Sequence, residues 1–217
     1  MRETWMRILL LAALTVCLGL FAGCGYSAER IVQDLARDYI REKYEITPDV
    51  KGVKLNSAGD GGTVTMESEG RIFDVEISIA DPSLNGDNYM KKEYAARIDE
   101  YFRSRLGCES IYVVAWYGRP GQHLGKDIRT FEDLVAKVDN IQIMVSAYGL
   151  DRSSIAGINP ADWGADTQIF VADWISRDFV KDERVIWKST EEADAMSRDS
   201  LRSYYHFHDG VLDSLEY

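Results

Sequence analysis

From Phe73 to Ile79 apolar and polar residues alternate: Phe73, Val75, Ile77 and Ile79 take one side, and Asp74, Glu76 and Ser78 the other. Successive side chains of a strand point to opposite faces, so this period of two requires one dry face and one wet face. The dry face needs a cover. The segment Glu29 to Tyr44 offers one, with Ile31, Val32, Leu35, Ala36, Tyr39 and Ile40 recurring at helical spacing and Pro48 limiting extension. Between them, Val50 to Leu55 and Thr63 to Met66 read as strands separated by the turn Gly59-Asp60-Gly61-Gly62, and Ser68-Glu69-Gly70 turns into the alternating strand.

The pattern continues through the chain. Asn88 is expected to cap a helix running to about Leu106, and Ile111 to Trp116 is an apolar run of strand length. Tyr117 to Lys126 (YGRPGQHLGK) holds three glycines and a proline and reads as a linker. Thr130 with Asp133 has the spacing of a capping box before a short helix. Strands are expected at Ile141 to Ala147, at Gln168 to Ile175 and at Arg184 to Lys188. A polar loop should cover Gly149 to Asp166, and a helix should run from Ser189 to about Arg202. Tyr204 to His208 and Val211 to Leu215, joined by Asp209-Gly210, read as a closing hairpin with a type I′ turn.

These elements imply an α+β fold, with antiparallel sheets and helices packed on one face. Both halves read helix–strand–strand–strand–helix–strand. The expected organisation is therefore two modules, 29–117 and 129–217, joined by a linker at 118–128. The alternative is one continuous domain over 29–217.

The first 23 residues differ in kind. After Arg2 and Arg7, Ile8 to Gly23 run 16 positions without a charge, short for a permanent span and suited to the apolar core of a secretory signal. The run closes on Leu20-Phe21-Ala22-Gly23-Cys24, which resembles the lipobox of bacterial lipoprotein precursors, with Phe21 where the family usually carries Leu. The resemblance implies a signal peptide at 1–23, cleaved before Cys24, and a diacylglyceryl group on the Cys24 thiol. A short tether at 24–28 would then hold the body at the extracytoplasmic face of the cell membrane. One acyl chain binds a bilayer only marginally, so two chains make physical sense. An uncleaved N-terminal anchor and an ordinary cleaved signal are the alternatives. The first half also resembles small extracytoplasmic modules of Gram-positive lipoproteins, which have no assigned chemistry.

Without residues 1–23, which carry Arg2, Arg7 and Glu3, the chain keeps 23 basic and 35 acidic residues, a net charge of −12. Such a body repels phosphate backbones, so nucleic acid is not an expected partner. Of three cysteines, Cys17 lies in the apolar run and Cys24 at its end, leaving Cys108 without a disulfide partner; it reads as a small buried hydrophobe.

No nucleophile elbow, zinc-protease motif or phosphate-cradling loop occurs, and no cofactor is implied. His206 and His208, at i and i+2 on a strand, would point to one face as a transition-metal site requires, with Asp209 as an oxygen ligand. Asp74 and Glu76, with Glu67 and Glu69 nearby, are paired carboxylates that a solvated strand face explains more simply. Trp163, in the Asn159–Asp166 loop, is expected to be exposed and able to stack on a glycan ring. The reading that follows is a membrane-anchored, non-enzymatic binding module for an envelope protein. A module binding wall glycan or solute through aromatics and a metal-dependent activity at His206 and His208 are the alternatives.

Overall fold

The computed structural model describes residues 27–119, 121–164, 166–181, 190–191 and 199–217. Helix α1 (Ala28–Tyr44) opens at Ser27, whose side chain accepts the Arg30 N–H, and closes at Glu45 in the left-handed region. Glu29 in the first turn and Arg41 and Lys43 in the last complement the helix dipole. Its buried stripe, Val32, Ala36, Tyr39 and Ile40, lies on the first sheet. Strands β1 (Asp49–Leu55), β2 (Gly61–Ser68), β3 (Arg71–Ser78) and β4 (Gly86–Asp87) form this sheet, antiparallel in the order 1-2-3-4. Val64 and Met66 from β2 meet Phe73, Val75 and Ile77 from β3 under the helix, the dry face that the alternation requires.

The second sheet runs β5 (Ser110–Trp116), β6 (Gln142–Tyr148), β7 (Gln168–Trp174), β8 (Leu201–His208) and β9 (Val211–Glu216) in chain order. Among the described residues only β6 and β7 pair in parallel; the other pairs are antiparallel. Helix α2 (Lys91–Arg105) and helix α3 (Phe131–Lys137) cover one face, where Tyr94, Ile98, Phe102 and Leu134 pack on Ile143, Val145, Ile169 and Val171. Phe170, Ala172, Trp174, Leu201 and Tyr204 form a smaller core on the opposite face, joined by Phe179 and Leu215. Burial on both sides explains why β7 reads as a continuous apolar run. The fold is α+β, and among the described residues no helix is long and apolar enough to cross a membrane.

Several expectations are corrected. The division between the sheets falls near Asn88–Met90, because β5 pairs along its whole length with β6 and α2 packs in the second core. The chain is therefore not two equivalent halves. The expected linker at 118–128 is integral: Leu124 bridges Asp87, and Leu124 and Ile128 are buried. Asn88 does not cap α2, which starts at Lys91; its side chain accepts the Asp74 N–H at 2.8 Å instead. The Thr130–Asp133 capping box is present. Leu201 and Arg202 belong to β8, not to a helix, while the strand expected at 184–188 and most of the helix expected from Ser189 lie outside the described residues.

Trp163 is the clearest reversal. It is only 5% exposed, its ring stacked on Phe102 at 5.9 Å and met edge-on by Tyr101 and Phe131. The loop around it is ordered by 3₁₀ turns capped by Asp151 and Asn159, and Leu150, Ile155, Ile158 and Trp163 turn into the core. Trp163→Ala is therefore expected to destabilise the protein by about 3–5 kcal/mol in urea unfolding, as large-to-small core changes do. A loss under about 1 kcal/mol would contradict this placement.

Candidate functional site

Lys43 stands on the buried stripe of α1, four residues after Tyr39, and is 3% exposed. Its Nζ lies 2.6 Å from Asp87 Oδ2 and donates to the carbonyls of Leu124 at 3.1 Å and Gly125 at 2.7 Å. Asp87 Oδ1 accepts the Tyr44 hydroxyl and the Tyr89 N–H, each at 3.0 Å, and the Tyr39 hydroxyl donates to the Leu124 carbonyl. Burial lowers the Lys43 pKa, opposed by Asp87, and burial raises those of Tyr39 and Tyr44. Every charge here is met by a partner, which is the condition for burying an ion pair without a large penalty.

This network lies beside a cleft of about 880 Å³ between α1 and the 118–128 and 137–139 segments. Asp38, Glu42, Arg119, Lys126, Asp127 and Lys137 stand at its walls. Lys126 pairs with Glu42 across it, and Arg119 donates to the carbonyls of Ser83 and Leu84. Sequence reading misses both the network and the cleft. The one available signal was a lysine on an otherwise apolar helix stripe.

A second cluster lies on β8 and β9. His206 and His208 share one face, as their spacing requires, and register places His206 opposite Phe170 on one side and Asp213 on the other. The His206 ring stacks on Phe170 with centroids 4.4 Å apart, and the two imidazoles are 4.5 Å apart. His208 Nε2 lies 3.0 Å from Asp213 Oδ2. His206 Nε2 is buried with no hydrogen-bond partner among the described residues. The expected oxygen ligand is corrected: Asp209, in the turn, lies 3.6 Å from His208 Nδ1, and Asp213 is the carboxylate grouped with both histidines. Asp209 and Gly210 both have positive φ, the type I′ geometry that sets this register.

The remaining candidates are scattered. Asp74 accepts from Thr65, Glu76 lies 3.2 Å from His123 Nδ1, and Glu67 pairs with Lys51, so these carboxylates form a strand face with individual partners. Cys108 is half-buried, and burial raises its thiol pKa, which disfavours the reactive thiolate. Trp163 offers no free stacking face. Cys24 lies outside the described residues. Comparison with known proteins finds no family model, no curated protein and no solved structure that matches this chain.

The two imidazoles should titrate apart. The hydrogen bond to Asp213 raises the His208 pKa, whereas burial, followed by the neighbouring His208, lowers that of His206. A folded pKa above the unfolded one means that the His208–Asp213 pairing stabilises the protein below the ordinary imidazole range, and that this is lost as pH rises through the folded value. NMR titration is expected to place His208 above His206, and Asp213→Asn to bring His208 down. An unchanged His208 in Asp213→Asn would refute the pairing.

Proposed function

We propose that the chain is a lipoprotein of the extracytoplasmic membrane face, tethered through a diacylglyceryl group on Cys24. Its α+β body acts as a non-enzymatic binding module for another envelope protein. The observation that carries this reading is the uncharged run Ile8–Gly23 ending in Leu20-Phe21-Ala22-Gly23-Cys24, followed three residues later by Ser27, the cap of α1. Gly25 and Tyr26 reach roughly 10 Å at most between the acylated residue and that cap, so the body is held close to the bilayer. A body of net charge −12 is repelled by anionic headgroups, which leaves the acyl chains as its hold on the membrane.

The cleft beside Lys43 is the surface that best suits a partner. Its walls carry both signs of charge, which fits a polar peptide segment better than an apolar solute or a polyanion. The glycan reading loses its motive, because the aromatic expected to stack on a sugar is enclosed.

The intact mass of the detergent-extracted protein is expected to begin at Cys24 and to include the lipid. Cys24→Ala should move the protein from the detergent phase to the aqueous phase. A chain beginning at Met1, or Cys24→Ala partitioning like the wild type, would refute the anchor. For the binding role, a photo-crosslinker at Lys137 on the cleft wall should capture an envelope protein that the same crosslinker at Ile72, exposed on the first sheet, does not. Equal capture at both positions would count against the cleft.

A further inference from the structure

We propose that His206, His208 and Asp213 form a binding site for a divalent first-row transition metal ion of the zinc type, independent of the cleft and of the membrane anchor. One ligand atom from each residue lies within 4.8 Å of the other two. The donor set is two imidazole nitrogens and one carboxylate oxygen. Imidazole suits zinc, copper, nickel and cobalt, whereas calcium and magnesium take all-oxygen sets. Zinc bonds of about 2.0–2.2 Å at tetrahedral angles put neighbouring ligand atoms roughly 3.3 Å apart. The 3.0 Å between His208 Nε2 and Asp213 Oδ2 is already near that separation, so His206, within 4.8 Å of both, is the ligand that has to approach.

The site is built rather than accidental in three respects. First, both strands are fixed in register by the Asp209–Gly210 turn, which sets Asp213 directly opposite His206 and diagonal to His208. Second, stacking on Phe170 holds the His206 ring, and Asp209 stands 3.6 Å from His208 Nδ1, where a carboxylate commonly orients a ligating imidazole. Third, an ordinary ion pair accounts for His208 and Asp213 but not for His206. Its Nε2 is enclosed with no hydrogen-bond partner among the described residues, a costly state for a polar atom that a metal bond relieves. Three protein ligands leave a position for solvent or for a group on a bound molecule.

The test uses tag-free full-length protein in detergent, titrated with zinc chloride by calorimetry and with cobalt chloride by visible absorption. About one equivalent of each should bind, cobalt should show the intense bands of a low-coordinate ion, and excess magnesium or calcium should not compete. His206→Gln should weaken zinc binding by at least about 100-fold, and Asp213→Asn by about 10–100-fold. Asp213 is part-exposed at the hairpin edge, so Asp213→Asn tests the site without disturbing the core. Circular dichroism matching the wild type would confirm that each variant is folded. Shifts of the His206 and His208 ring resonances on adding zinc to the wild-type protein report on the site without any substitution. Sub-stoichiometric binding, competition by calcium, unshifted ring resonances, or a folded Asp213→Asn that binds zinc as tightly as the wild type would each overturn the proposal.

Discussion

The buried Lys43 ammonium, paired with Asp87 of the first sheet, ties that sheet to the segment that returns from the second. Lys43 comes from the helix covering the first sheet, Asp87 from that sheet's last strand, and the carbonyls of Leu124 and Gly125 from the segment returning from the second unit. Removing a charge from water costs several kcal/mol in a folded protein, and Coulomb attraction alone seldom offsets that for two. Here the offset comes from number and geometry: two carbonyls and a carboxylate around the ammonium, a phenol and a peptide N–H on the carboxylate. The reciprocal backbone bonds between Asp87 and Leu124 close the same junction. The cleft beside it exists because the 118–126 segment is pinned at this point.

The two candidate sites rest on different physics. The cleft depends on long-range packing between units, so its shape follows the junction. The histidine cluster depends on one hairpin, whose two-residue turn sets which side chains face each other, and on a strand pair that brings Phe170 against His206. Disturbing the junction should leave the hairpin cluster in place, since β7, β8 and β9 are held by their own ladder and by the core around Trp174 and Tyr204.

Local patterns were legible from the sequence wherever a single element decides them. The helix over Glu29–Tyr44, the alternating strand at Phe73, Val75 and Ile77, the Thr130–Asp133 capping box and the I′ hairpin all appear within a few residues of where pattern places them. Partnership between elements was not legible. The Ile111–Trp116 run looks the same whether it joins the first sheet or the second, and the choice depends on α2 finding its core. Trp163 sits among polar residues, and only the aromatic cage of Tyr101, Phe102 and Phe131 reveals its burial. Asp213 was within reach, because a two-residue turn at 209–210 pairs 208 with 211 and therefore 206 with 213. Lys43 was harder, since a basic residue in a helix's last turn has an ordinary explanation in the helix dipole.

A double-mutant cycle on Lys43 and Asp87, read by urea unfolding, tests the central claim most directly. Lys43→Met and Asp87→Leu should each destabilise the protein by about 3–5 kcal/mol, because each leaves a buried charge unpaired. The double variant should cost far less than the sum, showing strong coupling between the two sites. Single variants within about 0.5 kcal/mol of the wild type, or losses that simply add, would contradict the claim that this buried pair organises the junction.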